Sequence, residues 1–275
     1  MLTWLGIRFF PRVPLSSKPF DWFAALLSFP VFGLSILGLD FLSTQYAIGL
    51  GLLALATLCG WVLIRHSLTR SEPMVPIDLL RITPVAYAVA ASAFSFAAQM
   101  SSVVAIPFFF KSVMGYGYAE IGVMLGVWSL GVAIMAPTSA WLSSRFSIAI
   151  LCATGAGIMA IGSFTLLLWD QQSPVYWVYL SMLLGGAGFG LFQTPNNRAM
   201  LAGIPRHRSA AAGGMQATTR VYGQSFGTAL VALVFAASQS QGPVLGMVVA
   251  GSCALVSLLI NIARHFNPAS DPQLS

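Results

Sequence analysis

Three groups of polar residues interrupt otherwise apolar stretches of this chain, and they are the residues whose type and spacing could do chemistry. Gln216, Arg220 and Gln224 fall four apart, with Thr219 and Tyr222 flanking them, so a helix places their side chains on one face. Gln193, Asn196, Asn197 and Arg198 cluster around Pro195, where the glycine-rich run Gly185-Gly186-Ala187-Gly188-Phe189-Gly190 gives out. Ser92, Ser95, Gln99 and Ser102 recur at spacings of three, four and three, again one helical face. Amides, hydroxyls and one guanidinium recognise polar or anionic groups by hydrogen bonding and charge. They do not activate a nucleophile.

The residues that catalysis needs lie elsewhere. Asp21, Asp40, Glu120 and Asp170 fall at or near the ends of apolar segments, and Glu72, Asp78 and Asp271 lie between or beyond them. His66, His207 and His265 also stand outside the apolar runs. No Ser/His/Asp set, metal-ligand cluster or phosphate-binding glycine loop can be assembled, so no catalytic residue, metal site or cofactor is expected. A membrane-buried carboxylate is the usual proton carrier of coupled transport, and none lies deep in a segment here. Cys59, Cys152 and Cys253 sit singly in apolar runs and read as buried free thiols.

The segments that position these groups belong to a membrane. The chain of 275 residues is 57% hydrophobic and only 7% charged, with a mean hydropathy of +0.82, whereas a soluble domain carries about 25% charged residues. So few charges cannot cover a globular surface, and lipid is the implied surroundings. The net charge of +6 is spread thinly over separate connecting segments, which argues against nucleic acid as a partner. Met1 to Pro14 lacks the apolar core and small-residue cleavage site of a signal peptide.

Eight apolar segments are near the ~20 residues that span a bilayer core: 21–39, 46–64, 85–110, 121–142, 148–168, 175–193, 211–237 and 244–262. They are too long and too uniformly apolar for the alternation of a membrane barrel, so the expected fold is an all-α polytopic bundle of about eight transmembrane helices. Arg8, Arg12, Lys18, Arg65, Arg70, Arg81, Arg145, Arg198, Arg206, Arg208 and Arg264 fall on one side of this zigzag, and Lys111 alone on the other. The positive-inside rule then puts both termini in the cytoplasm of a cell with this protein in its inner (plasma) membrane. The expected organisation is a cytoplasmic lead-in (1–19), a two-helix hairpin (20–64), a cytoplasmic linker (65–83), a six-helix unit (84–263) and a cytoplasmic tail (264–275). Six helices can be two inverted three-helix repeats, a pattern common in transporters.

Arg220 lies nine residues into its segment, ~13 Å from the cytoplasmic end, where a guanidinium costs at least ~2.5 kcal/mol unless it reaches water or a partner. Two readings stand: it lines an aqueous pathway and binds a polar or anionic group, or it snorkels to the cytoplasmic edge. The serine/glutamine stripe is likewise open between helix packing and cavity lining. Trp128 either stacks on a substrate or packs against lipid and protein. Gly122 with Gly126, Gly186 with Gly190, and Gly223 with Gly227 have small-xxx-small spacing and are expected to let helices pack closely. Pro107 and Pro137 are expected to kink their segments.

The block Gln193-Thr194-Pro195-Asn196-Asn197-Arg198-Ala199-Met200, followed by Arg206-His207-Arg208-Ser209-Ala210-Ala211-Ala212-Gly213-Gly214-Met215 and Ala217-Thr218-Thr219-Arg220-Val221-Tyr222-Gly223-Gln224, resembles the fourteen-helix drug:proton antiporter branch of the major facilitator superfamily. Ile106-Pro107-Phe108-Phe109-Phe110-Lys111 through Gly122 is similar to a helix end and outer loop of that branch, and Arg12-Val13-Pro14 with Phe20-Asp21-Trp22 to the start of its two extra central helices. Where the family has a G-x-L-a-D-R pattern this chain reads Ala140-Trp141-Leu142-Ser143-Ser144-Arg145, with Ser144 in place of the aspartate. Val127 and Ser129 stand where members often carry proline.

The resemblance implies the two central helices plus the C-terminal six-helix half of the fold, without the N-terminal half. It implies alternating-access efflux of small, drug-like molecules, with the proton as coupling ion through acidic residues of that other half. Gln99, Trp128, Gln193, Asn197, Gln216, Arg220 and Gln224 are then the candidates for the pathway wall. A complementary N-terminal half is the expected partner. The rival reading is a membrane subunit that does not transport, or a half-transporter that needs a partner.

Overall fold

The computed structural model describes residues 21–69, 76–202, 204–205, 208–238 and 240–267. The lead-in 1–19, most of the tail, and Arg70, Arg206 and His207 lie outside the described residues. Eight long α-helices occupy most of the remainder: α1 (Trp22–Thr44), α2 (Tyr46–Leu68), α3 (Thr83–Ser112), α4 (Tyr118–Leu142), α5 (Ile148–Thr165, extended by a 3-10 turn over Leu166–Leu168), α6 (Val175–Leu201), α7 (Ser209–Ala237) and α8 (Gly242–Phe266). The protein is an all-α polytopic membrane bundle.

Seven of the described helices are long and apolar enough to cross a membrane; α7 is the exception. Its composition is the reason, because Gln216, Thr218, Thr219, Arg220, Gln224 and Ser225 dilute its apolar residues. At 29 residues it has ample length, and it packs along α3, a spanning helix, for much of that length.

Several boundaries differ from the sequence expectation. The first span runs to Thr44 rather than residue 39, so its connection to α2 shrinks to Gln45. The N–H of Gln45 closes α1 on Phe41 O at 2.7 Å, and the next residue already begins α2. Asp40, expected in a loop, is therefore inside a helix. The sixth span does not break at the proline: α6 continues through Pro195 to Leu201. Proline there removes one backbone donor, a loss that a helix packed on both sides tolerates. Asp21 caps α1 by accepting from Ala24 N at 3.0 Å, and its other oxygen meets His66 Nε2 at 2.9 Å, tying the two ends of the hairpin together.

The most extensive pairings among the six helices α3–α8 map onto one another when the first three are exchanged with the last three, although α7 packs on α8 with no equal contact of α4 on α5. α3 packs on α8 as α6 packs on α5; α4 packs on α6 as α7 packs on α3. This is the pairing that two three-helix repeats with a pseudo-two-fold axis would produce. The hairpin sits to one side, with α1 against α7.

Glycine decides where helices touch. On α6, Gly186 faces α4 so closely that a Cβ would overlap the Trp128 carbonyl, and one at Gly190 would lie 2.8 Å from Val132 O. On the opposite side, a Cβ at Gly155 of α5 would lie 2.7 Å from Phe192 N. Along α7, Cβ atoms at Gly223 and Gly227 would overlap the carbonyls of Ala93 and Ala97 in α3, and Ser101 Oγ donates to Gly227 O at 3.1 Å across the same seam. Gly122 and Gly126 do not behave this way. Nothing stands within 4 Å of a Cβ at either, because they lie on the exposed face of α4. The close approach made by α4 comes instead at Gly131, where a Cβ would lie 2.5 Å from Leu183 O.

Candidate functional site

The continuation of α6 past Pro195 sets the geometry. Consecutive helical residues point 100° apart, so Asn196 and Asn197 face different neighbours. Asn196 is fully buried and donates from Nδ2 to Ala88 O of α3 at 3.0 Å. It therefore joins two helices inside the protein rather than marking a water boundary. Gln193 and Asn197, four apart, face a cleft between α3, α6 and α7.

That cleft has a volume of about 180 Å³ and is lined by Gln193 and Asn197 from α6, Gln216 and Arg220 from α7, and Phe96 from α3. Four of the seven candidate residues thus meet in one place. Gly213 and Ala217 complete the α7 wall with little or no side chain, which keeps the cleft open. Arg220 is exposed on this face. Counting from Ser209, it lies eleven residues into α7, ~17 Å along the axis, with ~26 Å of helix beyond it. A guanidinium at that depth requires water or an anionic partner, and the side-chain amides around it are neutral.

Gln224 continues the same stripe one turn further. Its Nε2 lies 3.5 Å from Gln99 Oε1, a long contact that nonetheless brings α3 and α7 polar groups face to face. The rest of the α3 stripe is different in kind. Ser92, Ser95 and Ser102 are buried in the core, leaving Gln99 as its half-exposed member.

Trp128 is not part of the cleft. It packs in the seam between α4 and α6, stacked on Phe189 at a centroid distance of 5.8 Å. Phe189 in turn meets Phe96 edge-on at 5.5 Å, so Trp128 reaches the cleft only through two other rings. Sequence spacing could not show this, since an aromatic residue in mid-span looks the same on either face.

Below the cleft, two contacts tie the loop-bearing ends of the helices. Arg198 Nη1 donates to Ser143 Oγ at 2.6 Å, joining α6 to the C-terminal end of α4. This is the loop where an aspartate is replaced by Ser144, whose hydroxyl bonds its own backbone at Trp141 O. The link is charge to dipole rather than charge to charge. Arg208, at the start of α7, pairs with Asp78 in the short 3-10 turn Ile77–Arg81, with Nη2 to Oδ1 at 3.2 Å. That pair fastens the inter-unit connection to the bundle, and its residue separation hid it from motif reading.

Comparison with known proteins adds an independent line. A model of the Major Facilitator Superfamily matches residues 23–228. The chain is 36% identical over 270 residues to "Uncharacterized transporter YebQ" of Escherichia coli (strain K12), covering 97% of this chain and 59% of that protein. It is 28% identical over 167 residues to "Multidrug resistance protein Stp" of Mycobacterium tuberculosis, covering 61% of this chain and 31% of that protein. It is 25% identical over 240 residues to "Multidrug efflux pump LfrA" of Mycolicibacterium smegmatis, covering 85% of this chain and 47% of that protein. The chain thus spans between about a third and three-fifths of the length of these relatives.

Proposed function

This chain belongs to the major facilitator superfamily, and on that premise we propose that it forms one wall of a pathway for the export of small molecules across the inner membrane. The observation that carries the reading is the meeting of Gln193, Asn197, Gln216 and Arg220 in one cleft on an exposed face. A polar wall with an arginine at membrane depth is costly against lipid and sensible against water. A second set of helices facing it completes an aqueous pathway, and alternating access follows from rocking one set against the other. The basic residues on the linker side of the bundle favour both termini in the cytoplasm. The proton is the coupling ion, carried by acidic residues of the facing half rather than by this cleft, which has none among its described lining residues. The names of Stp and LfrA favour drug-like substrates.

The test is efflux from a pump-deficient bacterial host expressing this chain with the coding region that flanks it. Accumulation of a panel of fluorescent dyes is expected to fall, and Arg220→Ala together with Gln216→Ala to restore it for at least one dye. Unchanged efflux in the double variant, at equal membrane abundance, would remove this cleft from the pathway. A second reading, a subunit that packs on a partner without transporting, is favoured by the exposed small residues Ala119, Gly122, Gly126, Ser129 and Ala133 on one face of α4. Its signature is a stoichiometric partner in detergent extracts and no dye exported by the pair.

A further inference from the structure

The cleft between α3, α6 and α7 carries a sign as well as a shape. Its charged group is the guanidinium of Arg220, and no acidic residue is among its described lining residues. Gln193, Asn197 and Gln216 bring three carboxamides to the same space, and each can turn its NH₂ group toward an anion. Phe96 adds an aromatic ring, itself held edge-on against Phe189. Access to the guanidinium follows from the residues that precede it. Gly213, Ala217 and Arg220 fall four and three apart, so they share one face of α7. All three are exposed, and a Cβ at Gly213 would meet nothing within 4 Å. Gly213 stands four residues past the start of α7 at Ser209. An open strip thus runs from the loop end of the helix to Arg220, with a hydrogen and a methyl group as its only side chains.

A planar guanidinium pairs best with an oxyanion, two parallel N–H donors meeting two oxygens. A cation in the same space meets the like charge of Arg220, with no acidic lining residue to offset it. A neutral molecule keeps the carboxamide contacts and loses the ionic one. The volume of about 180 Å³ exceeds the ~150 Å³ of a cavity that holds a benzene ring. It has room for a small aromatic acid, or for the anionic end of a longer molecule that continues outside. The geometry points to a cleft that selects organic monoanions: a carboxylate seats on Arg220 and the neighbouring carboxamides, and an apolar body lies beside Phe96. The sign of charge is a further property of this wall and rests on the pathway reading, but binding here is measured without transport.

The probes are naphthoate, naphthamide and naphthylmethylammonium, which share a ring system and are anionic, neutral and cationic. Equilibrium dialysis is run against the full chain in phosphatidylcholine nanodiscs, with empty nanodiscs subtracted. Saturable binding is expected to be strongest for naphthoate, about tenfold weaker for naphthamide, and absent for the ammonium. Arg220→Gln should bring naphthoate to the level of naphthamide, a loss of about tenfold, equivalent to ~1.4 kcal/mol, and leave naphthamide unchanged. Arg220→Lys should keep the order of the three. As a measurement that leaves Arg220 in place, naphthoate and not the ammonium should slow alkylation of Ala217→Cys. Equal binding of the three probes, Arg220→Gln binding naphthoate as tightly as the parent chain, or alkylation of Ala217→Cys at a rate that naphthoate does not change overturns the anion selectivity. Each of these leaves the dye-efflux result standing. Efflux unaltered in the Arg220→Ala and Gln216→Ala double variant, alongside Arg220-dependent naphthoate binding, would instead overturn the pathway reading alone.

Discussion

The glycine pairs offer the sharpest test of the packing argument, because they share a sequence pattern and differ only in what faces them. A methyl group added at Gly186 meets the backbone carbonyl of Trp128, and Gly131 on the same seam has Leu183 O at 2.5 Å from the added carbon. Neither obstacle is a side chain that can swing away, so α4 and α6 must separate. Overpacking of this sort costs about 1–3 kcal/mol. At ~2–4 °C per kcal/mol for a domain of this size, Gly186→Ala should lower the unfolding midpoint by ~2–12 °C. Gly122→Ala and Gly126→Ala add the same methyl where nothing stands within 4 Å. They should change the midpoint by less than ~2 °C, or raise it slightly, since alanine favours a helix by up to ~1 kcal/mol over glycine. The assay is thermal unfolding of the purified chain in one detergent, followed by the loss of the monodisperse peak on size exclusion. Equal losses at Gly186 and Gly122 would refute the reasoning, and a larger loss at Gly122 would reverse it.

Three further outcomes follow from named contacts. Asn196→Ala removes the bond to Ala88 O and leaves a buried carbonyl without that donor, so a loss of about 1–3 kcal/mol is expected by the same unfolding assay, and no loss would show that α6 is not anchored there. Single cysteines at Ser173 and Ser240 should react with a membrane-impermeant maleimide from outside intact cells, and one at Ser209 only after permeabilisation; the opposite labelling would invert the topology. In the α5–α6 connection, the hydroxyl of Ser173 and the backbone N–H of Gln172 bond the carboxylate of Asp170 and hold its pKa below the ordinary value. A depressed folded-state pKa means that this ordering is complete above the unfolded pKa and is lost as pH falls through the folded one. Exchange of the Gln172 amide should therefore accelerate at acid pH relative to that of Asp170→Asn, and parallel profiles would exclude the carboxylate.

Much of this protein is legible in the chain itself, and for one reason. Burial in lipid demands long apolar runs with internally bonded backbone, so composition alone marks seven of the eight long helices as spans, while α7 is carried by its length and its packing on α3. The polar stripe of α7 is legible on the same ground, since helical periodicity puts Gln216, Arg220 and Gln224 on one face whatever surrounds them. The family resemblance is carried by the Gln193–Gln224 block, and the residues it contains are those that line the cleft.

Tertiary structure decided which of several equivalent faces meets what. Gly122 and Gly186 sit in the same motif, but only the second has a carbonyl against it. Asn196 and Asn197 are adjacent in sequence, and the continuation of α6 through Pro195 sends one into the core and the other to the cleft. Asp40 reads as a loop residue until the single-residue turn at Gln45 draws it into α1 and against α7. Periodicity is a property of one helix, and it fixes angles about that helix's own axis. Where that axis lies against its neighbours depends on contacts between residues far apart in the chain, and those exist only once the bundle has closed.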